Sequence, residues 1–402
     1  MMKPIKVGFV LLSKKDDPIP STRIAALNMF PYLRAENFEP EILFEPERNT
    51  ETPDLSGVAQ EAKRRGIEIV FFQKVYGASV LACIEELRAA SIKTVYGVCD
   101  VVEAAMAQAC DATVTVTDFL KSLYPRDLQE NIATVHDGVE HPDVQKADWG
   151  AHEGSRARPL NAVLVTSAEL DHLPVLEDPP HWLHVTIIGK YAPPNQPAKR
   201  LQTAYWLFLK QHGWRNRWRF LRFLMNPRIK RQGWHPESVY TALQQADIGI
   251  IPIETNPERG ASDRWLVKSE NRLTLKMAVG LPVIASPIPS YVPVVDQGRN
   301  AYLAQGKAEW LRCLSALRDP ATRRRMGLQA RTSALAGYSM ERQAERLIAV
   351  LRRLVPHDSH AEPCPAPPAS HAAREALQHQ GIRLPVASAA YAAKPAPGTR
   401  QA

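Results

Sequence analysis

The sequence has no apolar run approaching the roughly 20 residues that a membrane-crossing helix needs, so a helical integral membrane protein is not expected. Cysteine is sparse. The five thiols, Cys83, Cys99, Cys110, Cys313 and Cys364, are scattered, odd in number and without a C-x-x-C pair, which argues against a disulfide framework or a zinc site. The stretch Met1–Leu12 passes from two lysines directly into a short β-like run, without the apolar core and small-residue cleavage site of a secretory signal. A cytoplasmic protein is therefore expected. Zinc-finger and RNP-type aromatic motifs are absent, so nucleic acid is not an expected partner. A net charge of +8 still calls for anionic partners, and phosphate-bearing small molecules and acidic membrane surfaces remain.

Within 402 residues there is room for two cores of ordinary domain size. Through the first 140 residues, short apolar runs of strand length (6–12, 40–44, 68–72, 94–98, 113–117 and 132–135) alternate with amphipathic stretches starting near Ser21, Ser56, Ala78, Val101 and Phe119. Such alternation, with near-continuous apolar strands, predicts a parallel sheet covered on both faces. After a polar, Gly-containing stretch the pattern restarts, with strands at 162–166, 184–188, 219–224, 248–251, 283–286 and 301–304 and helices at 197–212, 238–246 and from Ser269 to Val279. The expected organisation is a first α/β domain over 1–145, a linker over 146–160, a second α/β domain over 161–337, a C-terminal helix over 338–355 and a disordered Pro/Ala-rich tail over 356–402. Ser339 as N-cap, Glu341 in the first turn and Arg352 and Arg353 in the last suit the dipole of that helix.

One segment, "HGWRNRWRFLRFLMNPRIKRQGW" (212–234), carries Arg215, Arg217, Arg219, Arg222, Arg228, Lys230 and Arg231 and no acid. Its alternation around Arg219–Leu224 predicts a half-exposed strand, while aromatics set between cations also suit an anionic lipid surface.

Four stretches occur in a telling order. "HDGVE" (136–140) is followed by "QQADIGIIPI" (244–253), "VKSENRLTLKMAVGLPVIASPIPSY" (267–291) and "YSMERQAERL" (338–347). Together they resemble the GT-B glycosyltransferases, family 4 in particular, whose motif of the type "EAMAxGxPVVAS" is matched by "MAVGLPVIAS" (277–286). The resemblance spans roughly residues 7–354 and implies two Rossmann-like, doubly wound parallel-sheet lobes facing across a cleft, with a nucleotide sugar held on the second lobe and the acceptor on the first. It further implies retention at the anomeric carbon, no essential metal and no cofactor beyond the nucleotide-sugar substrate. No D-x-D metal signature accompanies it.

On the second lobe, a helix starting near Ser269 would present free amides to a diphosphate, with Lys268, Ser269 and Arg272 around them. Ser269 is equally a simple cap, and the cations a solvated helix end. Two glutamates of the family motif are missing, since apolar Val267 and Leu275 hold their positions. Asn271, one turn before Leu275, is either a substitute for the ribose contact, with Glu270 or Glu254 beside it, or an exposed residue without a part in binding. Lys190 after the second strand, and Ser290 and Tyr291 after "VIAS", complete the donor-side candidates, although Lys190 also reads as a surface lysine and Tyr291 as a packing residue.

On the first lobe the catalytic candidates are Arg23, at the start of the first helix, and Lys74 and Asp100, just past the ends of two strands. Arg23 would hold an acidic acceptor or a phosphate, and Asp100 would orient an acceptor hydroxyl, act as base or cap a helix. Gln73, His136 and Asp137 belong to the same region, the last two with an alternative part in the connection between lobes. The expected function is transfer of a sugar from a nucleotide-activated donor to an acceptor, membrane-associated in many relatives, in surface polysaccharide or glycoconjugate assembly. Peripheral contact with an anionic membrane at the inner face is compatible with the charge. A catalytically silent GT-B-like scaffold is the alternative that the missing glutamates raise. A two-lobed binder of the periplasmic type is disfavoured by the start of the sequence.

Overall fold

A computed structural model describes residues 3–192, 195–255 and 263–355. The expected tail over 356–402, and Cys364 within it, lie outside the described residues. The described residues form two units: 3–138 with 267–269 and 340–355, and those between 139 and 266 with 270–339.

In the first unit the strands are β1 (Ile5–Val10), β2 (Phe38–Phe44), β3 (Ile69–Gln73), β4 (Lys93–Val98), β5 (Ala112–Thr115) and β6 (Ile132–Thr134). They pair in parallel in the order β2-β1-β3-β4-β5-β6. Helices α1 (Pro20–Ala25), α2 (Phe30–Ala35), α3 (Val58–Arg65), α4 (Ala78–Ala89), α5 (Ala104–Ala109) and α6 (Asp118–Ser122) connect them. Both faces of the sheet are covered, which is why β3, "IVFFQ", is buried along its whole length instead of alternating. The chain runs from β1 to β2 on one side and then returns to β3 on the other. This switch point opens a crevice at the carboxyl ends of β1 and β3.

The second unit repeats the design. Its strands β7 (Leu160–Val165), β8 (Leu183–Gly189), β9 (Ile229–Gly233), β10 (Ile248–Ile251), β11 (Val283–Ala285) and β12 (Tyr302–Leu303) are parallel in the order β12-β11-β10-β7-β8-β9, with the switch point between β7 and β10. Its helices are α7 (Pro197–Lys210), α8 (Trp214–Met225), α9 (Pro236–Gln245), α10 (Asn271–Val279), α11 (Gly306–Ala316) and α12 (Pro320–Tyr338). The last helix, α13 (Met340–Leu354), returns to the first unit and buries Met340, Ala344, Leu347, Ile348 and Leu351 beside Phe9, Met29 and Leu33. That i, i+4, i+7, i+8 spacing puts one apolar stripe on one helix face.

Two expectations need correction. The strand expected at 219–224 is the second half of α8, and the strand of that region is β9. Phe220 and Phe223 turn inward at a helical spacing of three, which outweighs the local alternation of basic and apolar residues. Residues 146–160, expected as a linker, pack on the second unit. Lys146 Nζ donates to the carbonyls of Gln244 (2.8 Å) and Ala246 (2.6 Å), and the Trp149 indole donates to the Gly280 carbonyl at 2.8 Å. Arg323, fully buried, donates to the carbonyls of Trp149, Gly150 and His152. Polar composition marked this stretch as a connection between domains, whereas these bonds tie it to the body of the second unit. Among the described residues no helix is long and apolar enough to cross a membrane.

Candidate functional site

The second unit gathers polar residues at its switch point. Ser167 follows β7, Glu254 follows β10, and the amino end of α10 lies close by, because Arg272 Nη2 donates to Ser167 Oγ at 3.0 Å. The Arg272 guanidinium also lies over the Trp265 ring, 5.0 Å from its centroid, which fixes the plane of its fork. α10 starts at Asn271, two residues later than expected, with Glu270 in the N-cap position and making no side-chain capping bond. Its first amides are therefore not consumed by a cap. At the other end Gly280 takes the left-handed conformation (φ 86°) and donates to the Met277 carbonyl, the helix stop that the sequence predicts.

Of the donor-side candidates, Asn271 and Arg272 are half-buried in the first turn of α10, Glu254 is half-buried after β10, and Lys190 is exposed at the end of β8. Ser290 and Tyr291 are not open to the switch-point crevice, although the Tyr291 phenol feels the charges of Arg272 and Glu270. Both are buried, Tyr291 among Met277, Ile288 and Ala301, so the packing alternative holds for the ring, and burial pushes its phenol well up. Neither the Ser290 Oγ nor the Tyr291 hydroxyl has a hydrogen-bond partner among the described residues. The two apolar substitutes are also accounted for: Val267 is in the core of the first unit and Leu275 packs beside Val163 and Leu281.

Lys268 and Ser269 belong to the first unit. Lys268 Nζ donates to Asp100 Oδ2 at 2.7 Å, and Ser269 Oγ to Asp137 Oδ2 at 2.6 Å. Ser269 is thus not the helix cap, and both groups are engaged by carboxylates. Asp100 does not cap a helix either, since α5 starts at Ala104. Its second oxygen takes Lys74 Nζ at 2.8 Å, and Lys74 also reaches Glu51 at 3.0 Å. Burial favours the neutral acid at Asp100, but Lys74 and Lys268 outweigh it and hold the carboxyl at about 2. Burial likewise opposes the charge on Lys74, and the acids around it reverse the sign and raise it. Lys74 stands in the left-handed region (φ 58°) just past β3, anchored by its amide to the Gly97 carbonyl at 2.8 Å.

Beside this cluster is a small cavity of about 30 Å³ lined by Ser21, Gln73, Lys74, Cys99, His136 and Asp137 among others. Gln73 Oε1 accepts from the Leu12 amide (3.2 Å) and Thr22 Oγ1 (2.9 Å), so it orders the β1 loop and does not reach outward. The His136 amide donates to Gln343 of α13 at 3.0 Å, a structural tie within the unit. Arg23 is half-buried on α1.

Sequence reasoning missed Lys276. It is fully buried on α10, and its ammonium donates to the Arg272 carbonyl at 3.0 Å. Burial, reinforced by the Arg272 charge, brings it down to about 7. The available signal was a lysine inside an otherwise apolar run of five helical residues, Leu275 to Val279. Among the described residues there is no group of three or more His, Cys, Asp or Glu that could hold a metal ion.

Residues 182–349 match the family model described as glycosyl transferase-like. A comparison with curated proteins finds no match to the sequence. Among solved structures, a glycosyltransferase from Rickettsia africae is 11% identical, with 89% of this chain and 100% of that chain covered at a TM-score of 0.60. HepE from Anabaena, in complex with UDP and glucose, is 11% identical over 87% of this chain and 100% of its own, at 0.58. Sucrose-phosphate synthase from Thermosynechococcus elongatus is 11% identical over 88% of this chain and 99% of its own, at 0.56. At this identity the likeness establishes the two-unit GT-B fold.

Proposed function

From a GT-B fold and a glycosyl transferase-like match over residues 182–349, we propose that the chain transfers a sugar from a nucleoside diphosphate sugar to a hydroxyl acceptor. The observation that carries the reading is the bond from Arg272 to Ser167, which brings the amino end of α10 to the carboxyl end of β7 at the switch point of the second sheet, where open α/β sheets bind ligands. Arg272 and the uncapped amides of α10 would take the diphosphate, and their positive charge would stabilise it as it departs. Asn271, and Glu254 at the end of β10, are assigned to the ribose hydroxyls. With this charge in place the departure needs no metal, and the sugar is transferred with retention, as the family resemblance implies.

In the first unit the reading changes the part of Asp100. A carboxyl held near 2 is a poor proton acceptor at neutral pH, so Asp100 positions Lys74 and Lys268 and is not assigned as base. Arg23 and Lys74 are assigned to an anionic acceptor. The acceptor is taken as membrane-borne, the place of action as the cytoplasmic face and the process as surface polysaccharide or glycoconjugate assembly, on the resemblance alone.

HepE is described with UDP-glucose, so UDP-sugars head the donor panel. Incubation with UDP-, GDP- and ADP-sugars and acceptor extracts, with and without EDTA, is expected to release nucleoside diphosphate from one donor class irrespective of chelation. Val267 and Leu275, apolar where the family has carboxylates, favour the silent scaffold as second reading. No donor binding and no release across the panel would establish it.

A further inference from the structure

We propose that the hairpin of α7 and α8 is a docking surface for an anionic lipid bilayer. Replacing the expected strand by a helix changes what this segment displays. On α7, Leu201, Tyr205 and Leu209 recur at i, i+4 and i+8 and face solvent, with Leu201 73% exposed. On α8, Trp214, Trp218 and Met225 form a second exposed stripe, at 73%, 51% and 65%, with the two indoles stacked 6.4 Å apart. Scattered exposed apolar residues are ordinary, but two adjacent helices each with an outward apolar stripe are not.

The inward faces are already occupied, by Phe220 and Phe223 in the core and by Arg217 over the Phe208 ring between the two helices. The outward stripes are therefore not a core left unburied by misorientation.

Charge selects the occupant. Between Asp178 and Glu237 the sequence has eleven lysines and arginines and no acid. Arg215 and Arg219 run one position along from Trp214 and Trp218, so a cationic stripe borders the aromatic one. Arg222, the next in that row, is partly neutralised by Asp178 and contributes less. Indole rings settle at the level of lipid headgroups, and lysines and arginines beside them gain from an anionic surface. A protein partner would be expected to answer such a dense positive field with acids of its own, whereas a bilayer answers it over any area.

The inference goes beyond the donor reading and does not depend on it. The test is co-sedimentation of the full chain with phosphatidylcholine vesicles, with and without phosphatidylglycerol, followed also by tryptophan emission. Pelleting and a blue shift with phosphatidylglycerol only, both reversed by high salt, are expected. Arg215→Ser/Arg219→Ser should bind about thirtyfold more weakly, since each cation near the surface is worth about a fivefold factor. Trp214→Ser/Trp218→Ser should lose the blue shift and most of the pelleting with the circular dichroism unchanged. Neither pair belongs to the donor site, so nucleotide binding by these variants reports separately on that reading. Pelleting that is equal with neutral vesicles, or absent with both, would overturn the proposal. A two-chain species in solution that Trp214→Ser/Trp218→Ser converts to single chains would also overturn it, by assigning the face to self-association.

Discussion

Asp100→Asn isolates the charge cluster of the first unit. The wild-type carboxyl is held at about 2, against an ordinary 3.8, by Lys74 and Lys268 acting against burial. A folded pKa below the unfolded one means stability that is fully present above about 4 and is lost as the pH falls through 4 to 2. Nearly two pK units correspond to about 2.5 kcal/mol. Asn keeps the shape and removes the charge, leaving Lys268 without this carboxylate partner while Lys74 retains Glu51. The expected loss at pH 7 is therefore about 2–3 kcal/mol, toward the lower end of the cost of breaking a buried pair. For a unit of this size, with a urea slope of about 2 kcal/mol/M, the midpoint should fall by about 1 M.

The assay can tell the units apart. All eight tryptophans lie between Trp149 and Trp310, within the second unit, so indole emission follows that unit and far-UV circular dichroism follows both. Urea curves by dichroism at pH 7 and pH 3 should show a difference between wild type and variant that shrinks at the lower pH. An unchanged midpoint at pH 7, or a deficit as large at pH 3 as at pH 7, would refute the assignment of Asp100 as an ionised hub.

Two further outcomes are expected. Lys276→Met should stabilise the second unit at pH 6 by a few kcal/mol and progressively less toward pH 10. The lysine, at about 7 when folded and near 10.5 when unfolded, binds fewer protons in the native state across that window, so its cost is greatest below pH 7; equal gains at both pH values in urea melts would contradict this. Gly327→Ala should cost the second unit at least about 2 kcal/mol by tryptophan-monitored unfolding, because a Cβ there would stand 2.2 Å from Trp149 Nε1 and 2.3 Å from the Gly280 carbonyl; a wild-type midpoint would show that this contact relaxes freely.

The fold was largely legible because buried parallel strands and amphipathic helices leave opposite periodicities in the sequence. Strand β10 begins and ends at the expected residues, and the α10 stop was carried by one glycine. Helix α8 was not, because its outward face is as aromatic as its inward one, and period alone then fails to distinguish strand from helix. The site was less legible for a different reason. Local chemistry marked Lys268 and Ser269 as phosphate ligands, but which anion they meet depends on Asp100 and Asp137, brought over 130 residues by tertiary folding. Burial of Lys276 was invisible, and that of Tyr291 only one of two open readings, since a single position carries no record of its depth.

The donor site in the second unit is tested most directly by titrating uridine, guanosine and adenosine diphosphates into the wild type and Arg272→Ala by calorimetry. Saturable binding of one nucleoside diphosphate is expected, weakened at least tenfold by Arg272→Ala, because a charged hydrogen-bond donor to phosphate is worth about 1.5–3 kcal/mol. Absence of binding by all three nucleotides, or binding that Arg272→Ala leaves intact, would contradict a donor site at the amino end of α10.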